Sequence, residues 1–240
     1  MLVDLSHTFE NGMPGFTMRT PDGRAETFTA SVKPFLTHEA SAPFYEGHAS
    51  FELTEITFQT SIGTYLDAPM HRFAGRRDIA DLALEDVVLP GVVVHVPDAP
   101  ANRAVALADC DLPDDLAGKA VLFRFDWDRH WGTDAYDTYP FLGPDVIAAL
   151  IERGAKLVGM DTFNADDRTN PKRPAHTELL GRDILIVENL CNLAALPRDG
   201  FHFFAVPIKA KGAAAMTIRA FAEVDRPGDG PTVRNTPTHE

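Results

Sequence analysis

The sequence predicts an α/β domain with a β-rich core, and three observations support this prediction. Several short runs rich in Val, Ile and Phe are bounded by Gly or Pro, which is typical of strands. Only one segment has the apolar spacing of a clear amphipathic helix. The apolar fraction of 45% over 240 residues is enough to form a substantial core.

The predicted strands follow one another along most of the chain. They cover residues 1–7, 51–60, 91–96, 121–125, 156–160, 184–187, 203–208 and 215–224. The clear helix is predicted from Pro144 to Gly154, because Pro is favoured at the first helical position and Gly just beyond the last. A weaker helical pattern covers residues 79–88. Residues 1–224 are predicted as one domain, and residues 225–240 as a polar C-terminal tail.

Charge and composition exclude several classes of partner. The formal net charge of −13 predicts that the protein binds neither nucleic acid nor an anionic membrane surface. No apolar run is long enough to span a bilayer, and the first seven residues lack the pattern of a signal peptide. Cys110 and Cys191 lie far apart in the sequence, which suits a reducing compartment. We therefore expect a cytoplasmic protein.

A loop after the predicted strand 51–60 carries the first candidate site. Asp67 and His71 lie four residues apart in a segment shaped by Gly63 and Pro69. A carboxylate and an imidazole on a rigid turn suit metal binding or general acid–base chemistry. The alternative is that Asp67 caps the loop and His71 fills a surface gap. Spacing alone leaves both interpretations open.

A second candidate set lies near the predicted strand 184–187. Glu188 follows this buried strand, and His176 precedes it. A buried carboxylate is costly unless a charged group or a metal neutralises it, so a salt bridge to Arg182 or Lys209 is the alternative to a metal. Together with Asp67, these two residues form a nitrogen and oxygen ligand set that suits Zn²⁺ or Mn²⁺.

These residues lie in motifs that resemble a cyclase family, which includes bacterial kynurenine formamidase and isatin hydrolase. The family motif H-x-G-T-H-x-D-x-P-x-H corresponds to residues 61–71, which read S-I-G-T-Y-L-D-A-P-M-H. Further matches follow in order along nearly the whole chain: Asp4-Leu5-Ser6, Gly12-Met13-Pro14, Gly159-Met160-Asp161-Thr162, His176 with Leu179-Leu180, Glu188-Asn189-Leu190, Pro207-Ile208-Lys209 and Ile218-Arg219-Ala220. Several spaced matches in order are more specific than any single match.

The resemblance implies a fold, an assembly and a set of residue roles. It implies the swivelling β/β/α fold, a homodimer or homotetramer, and a small-molecule substrate. His71 occupies the position of the family's general base. Asp67, His176 and Glu188 occupy the positions of three ligands to one metal ion.

The sequence also departs from the family pattern. Ser61 and Tyr65 stand where metal-dependent members have two histidines that bind one metal, and hydroxyl groups are poor ligands beside imidazole. We therefore expect one divalent metal or none, and without a metal Ser61, Tyr65 and Arg72 would form a hydrogen-bond network with Asp67. Phe16 matches an aromatic position at the substrate, although a core role is an equal alternative.

Three functions follow from these alternatives. The leading hypothesis is a metal-dependent hydrolase of a C–N bond in a small amide or lactam, of the arylformamidase type. The first alternative is a cyclase or dehydratase, a lyase of the same fold, that uses His71 and Tyr65 as acid and base. The second is a catalytically silent binding protein that retains the pocket but has lost its metal centre.

Overall fold

The computed structural model describes residues 1–224, and the predicted polar tail at 225–240 lies outside the described residues. The strands of the described part are Leu2–Asp4 (β1), Thr17–Arg19 (β2), Ala25–Thr27 (β3), Ala30–Leu36 (β4), Leu53–Phe58 (β5), Tyr65–Asp67 (β6), Val88–His95 (β7), Ala104–Val105 (β8), Ala120–Arg124 (β9), Phe141–Leu142 (β10), Leu157–Met160 (β11), Leu185–Glu188 (β12), Phe201–Phe204 (β13), Ala215–Thr217 (β14) and Phe221–Val224 (β15). The helices are His38–Ser41 (α1), Leu84–Val87 (α2), Pro144–Glu152 (α3) and Pro174–Leu180 (α4).

Nine of these strands form one mixed sheet in the order β1-β15-β13-β7-β9-β11-β12-β6-β14. The central strands β7, β9, β11 and β12 run parallel, and the outer strands pair antiparallel. Parallel neighbours need crossover connections, and α3 and α4 lie in the two connections on either side of β11. The remaining strands form the two-stranded sheets β2–β3, β4–β5 and β8–β10.

Side chains of the central strands alternate between two hydrophobic clusters on opposite faces of the sheet. In β9, Val121 and Phe123 belong to the cluster that includes residues of α3 and α4, whereas Leu122 belongs to the other. That second cluster also contains Val3 and Leu5 from the start of the chain. Burial on both faces explains why these strands read as continuous apolar runs in the sequence.

The sheet curls around the second cluster. β1 is the first strand in the sheet order, yet Ser6, just beyond its end, pairs with Leu190, just after β12. This bridge connects one edge of the sheet with a strand near the opposite edge. The predicted α/β class with a β-rich core is therefore confirmed. Within residues 1–224, no helix is both long and apolar enough to cross a membrane.

Most predicted elements occur close to their expected positions, and three need correction. The weaker helical pattern at 79–88 forms a 3-10 turn at Ile79–Asp81 and the single turn α2, because Asp78 and Asp86 cap two short turns and Leu82 between them is extended. The strand expected at 203–208 is Phe201–Phe204. The run 215–224 splits into β14 and β15, because these strands belong near opposite ends of the sheet.

A buried carboxyl group lies directly after β11. Asp161 is 1% exposed, and its oxygens accept hydrogen bonds from the Phe125 N–H at 2.9 and 3.1 Å. Burial is the main cause that raises the pKa of Asp161 to about 8; the Phe125 N–H opposes this shift, and the charge of Asp128 adds to it. The folded protein therefore retains a proton that the unfolded chain releases near pH 4.

We expect Asp161→Asn to remove part of the pH dependence of stability. Because the folded-state pKa is raised, the stabilising contribution of protonated Asp161 is present below about pH 4 and is lost as the pH rises towards 8. The wild type should therefore lose stability between pH 5 and pH 8 relative to Asp161→Asn. The variant's free energy of unfolding minus that of the wild type should rise by about 1.4 kcal/mol or more over this range, which is the equivalent of one pKa unit. Urea unfolding of both metal-free proteins at pH 5 and pH 8 measures these free energies. The same difference between variant and wild type at both pH values would contradict the expectation.

Candidate active site

A cavity of about 160 Å³ lies beside β6, β12 and α4. Aromatic and apolar groups form part of its wall, with the rings of Phe16, Phe28 and Phe163 among them. Its polar lining includes Tyr65, His71 and His176, among other side chains. A concave apolar pocket with a few convergent polar groups is the usual form of a small-molecule site.

The pairing of β6 with β12 positions three of the polar side chains. Tyr65 lies opposite Glu188 and Asp67 lies opposite Ile186 in this antiparallel ladder. Opposite residues share a face of the sheet, as do residues two apart in one strand, so Tyr65, Asp67 and Glu188 face the same side. The expectation that Asp67 lies in a loop is wrong, because β6 is held by β12 on one side and β14 on the other.

Asp67 is a fully buried carboxylate without a hydrogen-bond donor. It is 0% exposed, and neither of its side-chain oxygens has a hydrogen-bond partner. Two imidazoles lie near it: His176 Nε2 is 3.6 Å from Oδ2, and His71 Nδ1 is 3.4 Å from Oδ1. A buried carboxylate is costly without a compensating charge. Asp67 therefore has the environment of a ligand to a cation.

His176 lies in the first turn of α4 and is 3% exposed. Its Nε2 is 3.5 Å from Glu188 Oε1, and its Nδ1 is 2.7 Å from Asp166 Oδ2. Burial opposes a charge on this imidazole, but the contacts with Asp166 and Asp67 and the charge of Glu188 together raise its pKa to about 9. His176 Nε2 thus lies near both carboxylates of the candidate ligand set, Asp67 and Glu188.

Glu188 ends β12 and is fully buried. Its carboxylate accepts hydrogen bonds from the Tyr65 hydroxyl, from Asn164 Nδ2 at 3.2 Å and from the Ala165 N–H at 2.8 Å. Burial raises the pKa of Glu188, the charge of His176 opposes this shift, and Asp67 adds to it. Arg182, one of the salt-bridge partners considered from the sequence, pairs with Glu178 instead.

The structure brings two of the three predicted ligands, Asp67 and His176, together with His71. Ligand atoms of Asp67, His71 and His176 all lie within 4.8 Å of one another. Glu188, the third predicted ligand, lies beside this group, with its Oε1 3.5 Å from His176 Nε2. Imidazole nitrogens and carboxylate oxygens are donors that Zn²⁺ and Mn²⁺ accept, so these residues fit a divalent metal.

The other predicted site residues divide into two groups. Ser61, Tyr65 and Phe16 line the cavity, and the Phe16 ring centroid is 5.8 Å from that of Phe28. Arg72 is exposed and donates hydrogen bonds to Thr177 Oγ1 at 3.0 Å and to a backbone carbonyl at 3.2 Å. Arg72 is not among the residues that line the cavity, so the network with Asp67 that the sequence suggested does not include it.

Sequence reasoning missed three polar residues in the connection between β11 and α4. Asn164 and Arg173 line the cavity, and Asp166 contacts His176 from behind. One available signal was Arg173-Pro174, since Pro at a first helical position predicts that His176 lies on a helix. No sequence pattern pointed to Asp166, because its contacts depend on how the connection between β11 and α4 folds.

Known proteins with similar sequences and folds agree with this architecture. The family model described as "Putative cyclase" matches residues 3–167. The chain is 32% identical over 173 residues to the kynurenine formamidase of Bordetella avium, covering 70% of this chain and 78% of that protein. The structure of isatin hydrolase A from Ralstonia solanacearum superposes with a TM-score of 0.79 at 24% identity, covering 94% of this chain and 92% of that one.

A further solved structure is described as a potential metal-dependent hydrolase with cyclase activity. It matches with a TM-score of 0.72 at 21% identity and covers 95% of this chain and 99% of that one. These likenesses confirm that the fold is the one implied by the sequence motifs. The family model spans more than half of the chain, and the protein therefore belongs to the cyclase family.

Proposed function

We propose that the protein is a metal-dependent hydrolase that breaks a C–N bond in a small amide or lactam, of the arylformamidase type. The observation that carries this proposal is the buried Asp67 carboxylate, which lacks a hydrogen-bond donor and lies next to His176, a residue that lines the aromatic-walled cavity. Relatives named kynurenine formamidase and isatin hydrolase support a hydrolase that acts on amides.

Asp67, His176 and Glu188 would hold one divalent ion, Zn²⁺ or Mn²⁺. Such an ion, when bound, lowers the pKa of water and polarises a carbonyl group. Burial, followed by the charges of Glu188 and Asp67, raises the pKa of Tyr65 well above its usual value. Tyr65 therefore keeps its proton and donates a hydrogen bond to Glu188, which supports a centre with one metal rather than two.

His71 is suited to the role of general base. Its side chain is 35% exposed and lines the cavity, so it reaches both substrate and solvent. The Asp67 carboxylate, 3.4 Å from His71 Nδ1, favours a proton on that nitrogen. Nε2 then carries the lone pair that removes a proton from the attacking water and returns it to the leaving amine.

The two alternatives have less support. A lyase would need Tyr65 to exchange a proton, but this hydroxyl donates to Glu188 and its pKa is raised. A silent binding protein gives no reason for two imidazoles to face a buried carboxylate that accepts no hydrogen bond, which is a donor set typical of metal sites. Metal analysis and turnover assays separate both alternatives from the hydrolase.

A cytoplasmic location, a homodimer or homotetramer, and the absence of nucleic-acid and membrane partners stay predictions. Unpaired Cys110 and Cys191 agree with a reducing compartment. Exposed apolar side chains on and near the β4–β5 sheet, such as Phe35, Phe44 and Ile56, agree with burial between copies of the chain. Light scattering of the purified protein measures the assembly directly.

Asp67→Asn should remove the bound metal. Wild-type protein should contain about one divalent ion per chain, and the variant less than about 0.1, because a neutral amide cannot replace the charge of the ligand. Metal analysis measures this content, and Asp114→Asn at an exposed side chain is the matched control. Chelation should also abolish turnover of an arylformamide such as N-formylaniline. Full metal content in Asp67→Asn would contradict the proposal.

His71→Ala should lower kcat by about 10² to 10⁴-fold, the usual contribution of a general base. The metal content should stay at the wild-type level, since His71 is not one of the three proposed ligands. His48→Ala, at an exposed histidine, is the control and should have wild-type kcat. A parallel loss of metal and turnover in His71→Ala would identify His71 as a ligand instead.

Tyr65→Phe separates the hydrolase from the lyase. The variant loses one hydrogen bond to Glu188, so turnover should fall by about tenfold or less, which corresponds to about 1.4 kcal/mol. The residual activity should remain sensitive to chelators. Complete loss in Tyr65→Phe, with a wild-type activity that chelators do not affect, would favour the lyase.

A further inference from the structure

A second buried carboxylate lies behind the candidate metal ligands. Asp166, in the connection between β11 and α4, is 1% exposed. Its Oδ1 accepts a hydrogen bond from the Ala175 N–H at 2.7 Å, and its Oδ2 accepts one from the His176 N–H at 3.1 Å. The same Oδ2 is 2.7 Å from His176 Nδ1. One carboxylate thus holds both the backbone and the ring of His176.

The ring contact determines which nitrogen of His176 is available. A carboxylate is only an acceptor, so His176 Nδ1 carries the proton in this contact. The other ring nitrogen, Nε2, faces the candidate ligands, 3.6 Å from Asp67 Oδ2 and 3.5 Å from Glu188 Oε1. A metal bound at Nε2 would replace the proton on this nitrogen. A histidine that donates to a carboxylate is also a more basic ligand at its other nitrogen.

Two further side chains hold Asp166 in this position. Arg173 Nε is 3.6 Å from Asp166 Oδ2, and a terminal nitrogen of the same guanidinium donates to Asn164 Oδ1 at 2.8 Å. The Asp166 N–H also donates to Asn164 Oδ1, at 3.0 Å. Since Asn164 Nδ2 donates to Glu188 at 3.2 Å, these contacts connect Asp166 with a second candidate ligand.

The backbone of Arg173 adds an independent observation. This residue has a φ of 47°, a left-handed conformation that costs energy for a residue with a side chain. The conformation occurs directly before α4, where the chain must turn to present both the guanidinium and His176. Strain of this kind persists where the surrounding contacts over-determine the geometry. Here the Arg173 guanidinium contacts both Asn164 and Asp166.

We propose that Asp166 is a positioning residue that sets the metal affinity of the site by fixing the ring orientation and the protonated nitrogen of His176. This inference rests on the proposed metal-dependent function. It differs from a purely structural role, in which Asp166 only accepts the N–H groups at the start of α4. Asn and Ser accept such N–H groups about as well as Asp does, so the two roles can be separated.

Asp166→Asn should weaken Zn²⁺ binding by about 10- to 100-fold, the usual effect of losing the partner of a histidine ligand. Competition with a chromogenic chelator measures the Kd. Asp167→Asn is the matched control, because it removes the same charge from the neighbouring residue, whose carboxylate accepts hydrogen bonds from Thr169. The Kd of this variant should stay within about twofold of wild type. Asp166→Ser is a second neutral variant for the case in which Asp166→Asn does not fold.

The outcomes separate this inference from the proposed function. Weaker Zn²⁺ binding in a folded Asp166 variant, with the Asp167→Asn control unchanged, would support the positioning role. Wild-type Kd values in both folded Asp166 variants would overturn that role and leave the proposed function intact. Equal weakening in Asp167→Asn would also overturn it, because the effect would then be one of net charge. A wild-type protein that binds no Zn²⁺ would overturn both proposals.

Discussion

The buried Asp67 carboxylate, which accepts no hydrogen bond, is the constraint on which the proposed chemistry depends. Most buried carboxylates in proteins have several donors, as Asp166 and Glu188 do here. Asp67 is the exception, and it lies near two imidazoles, His71 and His176, that line the cavity. A bound cation would give this carboxylate a partner, and the proposed function assigns His176 as a second ligand and His71 as the base beside it.

The curled sheet creates this constraint. Pairing with β12 and β14 fixes β6 on both sides, so Asp67 cannot turn towards solvent. The same ladder places Tyr65 opposite Glu188, and the resulting hydrogen bond occupies part of the Glu188 carboxylate. The connection from β11 to α4 then brings His176 over both acidic groups. Each of these contacts joins segments that are distant in sequence.

The sequence was sufficient for the fold class and for four residues of the candidate site. The apolar runs predicted the central strands, because strands buried on both faces keep a continuous pattern. The ordered motifs identified Asp67, His71, His176 and Glu188. The placement of Asp67 in a loop was wrong, because Gly63 and Pro69 indicate turns and three residues are too few for a period of two to be visible.

Other features were beyond sequence reasoning for a related reason. The roles of Asn164, Asp166 and Arg173 depend on a connection whose path is set by tertiary contacts. The splitting of the run 215–224 into two strands depends on the curl of the sheet. Likewise, the position of Arg72 outside the cavity wall is decided by its contact with Thr177 on α4. Long-range packing decided each of these outcomes, and local pattern carried little information about them.

The most direct test of the central claim is an anomalous-scattering map from crystals grown with Mn²⁺. The account predicts one peak per chain, about 2.0–2.3 Å from an oxygen of Asp67 and from Nε2 of His176. A cavity without a peak at these atoms, in crystals of a protein that turns over an amide, would contradict it. So would two peaks, since Ser61 and Tyr65 would then have to accommodate a second ion.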